Sequence, residues 1–128
     1  MGGDFDRART LLVQSLAIHR ELGNKRGIGY VLNSLGTVAF SIGDYAEATR
    51  FFQESLVIKQ ALGDQVGSAV TIDNLGMVAY AEQDYVQARL FHEQSLVMRR
   101  ALGDKWGMAK ALDNLGNVAY REGAYATA

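Results

Sequence analysis

Apolar residues recur along this chain at three- and four-residue intervals, in blocks of about 18 residues separated by short polar turns. In the middle of the chain Ile72, Leu75, Gly76 and Ala79 share one side of a block. Tyr85, Ala88, Phe91, Ser95, Leu96 and Met98 share one side of the next. That spacing is helical, and no period-2 alternation persists between turn residues, so strands are not expected. The breaks carry stop and start signals: in Leu62-Gly63-Asp64 the glycine can take the left-handed position that ends a helix, and the aspartate can cap the next. Asn24 and Asp104 stand where Asp64 does, and Asp4, Asp44 and Asp84 precede the alternate helices. The pattern predicts helices over about 5–22, 25–42, 45–62, 65–82, 85–102 and 105–122.

These blocks repeat. A shift of 40 residues superimposes Gly23, Gly63 and Gly103, then Leu35, Leu75 and Leu115, then Gly36, Gly76 and Gly116. It also aligns Ser15, Ser55 and Ser95, and Tyr45, Tyr85 and Tyr125. A fixed period of this kind implies stacked helix pairs, none of which buries its apolar face alone. The segment "DNLGMVAY" at 73–80 returns as "DNLGNVAY" at 113–120. Glycine inside a helix costs about 1 kcal/mol relative to alanine. Small residues at Gly76 and Ala88 are therefore expected to let two helix backbones approach closely.

Composition narrows the function classes. The 48% of hydrophobic residues suffices for a packed core, and 13 Lys plus Arg against 14 Asp plus Glu, interspersed, give no basic stripe for nucleic acid. With 0 cysteines there is no disulfide, thiolate metal site or cysteine nucleophile; a reducing, cytoplasmic setting is the expectation. No apolar run is long enough for a membrane span, and no signal-peptide layout opens the chain. Met1 and Gly2 are expected to be a cloning remnant.

The stretch "LGMVAYAEQDYVQARLFHEQSL", Leu75 to Leu96, resembles the tetratricopeptide repeat, with Leu-Gly and an aromatic on a first helix and Tyr, Ala and Phe on a second. The likeness extends over residues 3–128. The period is longer than the usual roughly 34 residues, and "ALGDQVGSA" replaces the customary proline turn. That longer variety is similar to repeats of kinesin light chains, spindle-orientation adaptors and bacterial signalling ATPases and transcriptional regulators. The resemblance implies an all-α, right-handed superhelical array (an α-solenoid) of antiparallel helix pairs. About three units are present in permuted phase, and the first helices line a concave groove.

Helical geometry then chooses the groove-facing side chains. If Leu75, Gly76 and Ala79 pack inward, Asp73, Asn74, Met77 and Tyr80 occupy the other side. Their counterparts are Tyr30, Asn33 and Phe40 in the preceding unit, and Lys110, Asp113, Asn114, Asn117, Tyr120 and Arg121 in the following one. An asparagine offers both donor and acceptor, so Asn74 and Asn114 suit the backbone of an extended peptide. The alternative is that they bond neighbouring helices. Asp73 and Asp113 in these places favour a basic or neutral segment over the carboxylate ends that some family members bind.

No catalytic, cofactor or metal site is expected. His19 and His92 have no carboxylate or second histidine at ligand spacing and read as solvated or packing residues. Trp106 reads as covering an inter-unit turn. The expected function is a non-catalytic protein-interaction scaffold taken from a larger regulatory protein, with a peptide- or ligand-sensing module as the alternative. A third possibility is self-association, because the chain opens on a second-type helix and closes after a first-type helix. Residues 105–122 of one copy could receive residues 5–22 of another, end to end or by exchange.

Overall fold

The computed structural model describes the backbone of residues 2–127 and the side chains of residues 3–124. Among these residues there are six helices and no strand: α1 (Gly2–Leu22), α2 (Lys25–Ser41), α3 (Tyr45–Ala61), α4 (Gln65–Ala81), α5 (Tyr85–Leu102) and α6 (Lys105–Thr127). This is an all-α helical repeat. Met1 lies outside the described residues, and the side chain of Tyr125 lies outside the described side chains. Among the described residues no helix is long and apolar enough to cross a membrane.

The turns follow from single residues. Gly23, Gly43, Gly63 and Gly103 all have φ between 65° and 85°, the left-handed region that lets each helix stop without a Cβ clash. Gln83 holds the same conformation, φ 65°, with a side chain attached. The Asn24 side chain then accepts a bond from Gly27 N, Asp44 from Glu47 N, and Asp84 from Gln87 N, each satisfying a donor at the first turn of the next helix. Asp104 does the same for Gly107 N at 2.9 Å.

Two expected boundaries differ. Asp4 lies within α1 rather than in front of it, because that helix already begins at Gly2. At the other end α6 continues through Gly123 to Thr127, past its predicted end at residue 122. The position that holds Asp44 and Asp84 holds Ala124, which has no side-chain acceptor to cap a fresh start.

The chain divides into two compact units, residues 1–64 and 65–128. In the first, Leu16 of α1, Leu32, Leu35 and Ala39 of α2, and Ala48 and Phe52 of α3 are buried. Gly36 explains their closeness: a Cβ built there would stand 2.5 Å from the Phe52 ring. Ser55 Oγ donates to the Gly29 carbonyl oxygen at 2.7 Å, tying α3 to α2. In the second unit Ala79, Ala88 and Val118 bring α4, α5 and α6 together, flanked by Tyr80 and Tyr85. Here a Cβ at Gly76 would stand 2.6 Å from the imidazole of His92. The glycine therefore makes room for a ring from the facing helix, which corrects the expectation of backbone-to-backbone approach.

Candidate functional site

Within the second unit, α4, α5 and α6 enclose a cleft of about 180 Å³. From α4 it is lined by Asp73, Asn74, Met77 and Tyr80, and from α6 by Lys110, Asn114 and Asn117. The wall residues on α4 are one helical turn apart, as are those on α6, so rigid helices rather than loops hold them. Asparagine amides supply donors and acceptors, Met77 and Tyr80 apolar surface, and Lys110 a positive charge. Arg121 Nε donates to the Tyr80 hydroxyl at 3.1 Å and orients it.

Beneath the cleft lies a buried polar network. Asp73 is 5% exposed, and its carboxylate is fully engaged. Oδ1 lies 2.9 Å from His92 Nδ1, and Oδ2 accepts from Ser95 Oγ and from Arg99 Nη2, each at 2.9 Å. Arg99 Nε donates to Ser95 Oγ at 3.0 Å, and its Nη1 reaches Asp104 at 3.1 Å. Among the described residues no buried side-chain polar atom lacks a partner. The network is thus a satisfied one, of the kind that rigidifies a core.

This overturns part of the sequence-based assignment. Asp73 lines the bottom of the cleft, yet its charge is consumed by Arg99 and is not offered to a basic segment. His92, read as having no carboxylate near it, is ion-paired or hydrogen-bonded to Asp73 across nineteen residues of sequence. The signal for both was present in the repeat. Where the first unit has Asn33, Phe52 and Lys59, the second has Asp73, His92 and Arg99, three changes at matching positions. An acid, an imidazole and a guanidinium arriving together in register mark a polar core.

Asp, His and Ser in contact invite comparison with a nucleophile relay, and the geometry is wrong for one. Ser95 gives its proton to the carboxylate and accepts from Arg99; the base nitrogen of a relay would have to receive it instead. Among the described residues no group of three His, Asp or Glu side chains could hold a metal ion.

The remaining expected site residues fall elsewhere. Asp113 borders a second, more open depression with Arg99, Asp104, Trp106 and Lys110. Trp106 is 90% exposed rather than folded over a turn. Tyr120 is exposed on α6 outside the cleft. Tyr30, Asn33 and Phe40 belong to the first unit: Tyr30 is exposed, Asn33 half-buried, and Phe40 packs on Tyr45 with centroids 5.5 Å apart.

Family models described as tetratricopeptide repeat match residues 2–61 and 68–105. A search of curated protein sequences finds no match. Among solved structures, BtubC (BKLC) from P. vanneervenii superposes with a TM-score of 0.85 at 24% identity, covering 94% of this chain and 51% of that one. The Signal Transduction ATPase with Numerous Domains (STAND) protein with a tetratricopeptide repeat sensor, from Pyrococcus horikoshii, gives 0.80 at 20% identity over 87% of this chain. The chain spans about half of the first and 17% of the second. At these identities the likeness is one of fold. Two adjoining repeat models, the Leu-Gly register and six helices in pairs agree, and the chain belongs to the tetratricopeptide repeat family.

Proposed function

We propose that this chain is a non-catalytic protein-interaction module whose second unit seats a peptide segment in the cleft between α4 and α6. Tetratricopeptide repeats are in general protein–protein interaction modules. The observation that carries the reading here is the make-up of the cleft wall. Asn74, Asn114 and Asn117 present amides beside the apolar surfaces of Met77 and Tyr80, on helices whose shared floor is pinned by the Asp73 network. Amides suit a peptide backbone, which needs a donor and an acceptor at each step. Because Arg99 neutralises Asp73, the expected bias toward basic segments is withdrawn, and Lys110 tilts the cleft toward neutral or acidic ones.

An immobilised library of unstructured linear peptides tests this. The native chain should retain a subset of sequences, and Asn74→Ala with Asn114→Ala should weaken them by about 5- to 150-fold, as two lost amide contacts at about 0.5–1.5 kcal/mol each imply. Unchanged helicity by circular dichroism must accompany that loss. Retention of the same peptides by the double variant, or unfolding in place of lost binding, would refute the assignment.

A further inference from the structure

The first unit holds a pocket that shares no residue with the cleft of the second. In this unit α1 and α3 both pack on α2, and a groove runs between them. At one end the ion pair of Arg9 on α1 with Glu47 on α3, at 3.2 Å, spans the groove. The space beside that pair, against Leu35, Ala39 and Phe51, is only about 10 Å³. Toward the C-terminal ends of α1 and α3 the groove opens to about 540 Å³, within the roughly 300–1,000 Å³ of small-molecule sites.

The open end is apolar along its length and cationic at its rim. Ile28 and Leu32 of α2 line it together with Val57, Ile58 and Ala61 of α3. Arg20, in the last turn of α1, and Lys25, the first residue of α2, also border it, and both are exposed. Among the described residues neither is held in an ion pair. The one carboxylate lining the pocket, Glu54, is engaged by Arg50 at 3.2 Å. Positive charge therefore stands unmatched beside apolar surface. The fold does not demand this set, since the next repeat has Gln60, Gln65 and Ser68 in the places of Arg20, Lys25 and Ile28.

We propose that this pocket binds an amphipathic organic anion: an alkyl chain of medium length that ends in a carboxylate. The chain lies along Ile28, Val57 and Ile58, and the carboxylate is received by Arg20 and Lys25. Removing alkyl carbon from water supplies most of the affinity, and the two cations fix which end of the ligand lies at the rim. Residues 54–61 of α3 give the chain a wall of about 10 Å at 1.5 Å per residue.

Octanoate, titrated into the native chain and followed by amide chemical shifts in nuclear magnetic resonance, tests this. The amides of Ile28, Val57, Ile58 and Ala61 should shift and saturate with a Kd near roughly 1 mM, as expected for so small a ligand. Octylammonium, of the same length and opposite charge, should bind at least roughly 2- to 30-fold more weakly, the value of two exposed charge contacts. Arg20→Gln with Lys25→Gln should weaken octanoate by the same factor and leave octylammonium no weaker. Ala61→Trp should abolish the shifts of both by filling the pocket. These side chains are exposed, so helicity by circular dichroism should be unchanged in each variant. Absence of a saturable shift by roughly 10 mM octanoate, tenfold above the expected Kd, would overturn the proposal. So would equal binding of octanoate and octylammonium, or octanoate shifts that survive the double glutamine variant at full strength.

Discussion

Replacing Asp73 by alanine removes the one anion that Ser95, Arg99 and His92 share. Breaking a buried ion pair from one side costs about 3–5 kcal/mol, because the surviving charge is left desolvated. Arg99 keeps Asp104 and Ser95 as partners, which places this case at the lower end, near 3 kcal/mol. In a unit of this size each kcal/mol lowers the melting temperature by about 4–8 °C, so a fall of about 12–24 °C is expected. Thermal and urea unfolding followed by far-ultraviolet circular dichroism read it directly. The decisive companion is the triple variant Asp73→Asn, His92→Phe and Arg99→Lys, which installs in the second unit the residues that the first carries at Asn33, Phe52 and Lys59. Exchanging a complete buried polar set for a compatible one is close to neutral, so stability should return to within about 1 kcal/mol of the native chain. If Asp73→Ala costs less than about 1 kcal/mol, or the triple variant is no more stable than the single one, the network does not act as a unit.

Further outcomes follow from the helix glycines and from one half-buried cation. Gly36→Ala and Gly76→Ala should each destabilise by about 1–3 kcal/mol, since the new methyl meets an aromatic or imidazole ring at 2.5 or 2.6 Å. Gly116→Ala, with open space around it, should instead stabilise by up to about 1 kcal/mol in the same denaturation assay. Burial lowers the Lys59 pKa from its ordinary 10.5, an effect that the nearby Asp64 carboxylate opposes without cancelling. The unfolded chain therefore holds the Lys59 proton more tightly, and this residue's contribution makes stability rise with pH up to 10.5. Lys59→Met should accordingly raise the melting temperature at neutral pH and remove that part of the rise, as melts across an alkaline pH series would show.

The helices were legible because the residues that end and begin them act locally. Gly63 needs only its own φ, and Asp84 only the amide three residues on. By the same local rule α6 runs past its predicted end at residue 122, because Ala124 offers no side-chain acceptor to cap a new helix. The cleft was partly legible. Helical spacing placed Asn74, Met77 and Tyr80 on one side of α4, and they do line one surface. Spacing cannot say whether a side chain at the margin of that surface turns outward or inward. Asp73 turns inward because its partners lie on the facing helix, nineteen to twenty-six residues away in sequence. His92 was passed over when considered alone, and becomes interpretable once set beside Phe52 in the first unit.

The exchange of Asn33, Phe52 and Lys59 for Asp73, His92 and Arg99 constrains the order in which one repeat can be rewritten as the other. Beginning with the histidine would bury an imidazole facing an amide in place of a carboxylate, whereas the acid finds a cation, lysine or arginine, already in register. Beginning with lysine to arginine keeps the cation and its acidic neighbour, Asp64 in one unit and Asp104 in the other. The guanidinium then waits as a ready partner for the carboxylate, and the imidazole comes last. A path through sequence space that keeps every intermediate folded thereby favours the acid before the imidazole, an order set by the electrostatics of one pair of facing helices.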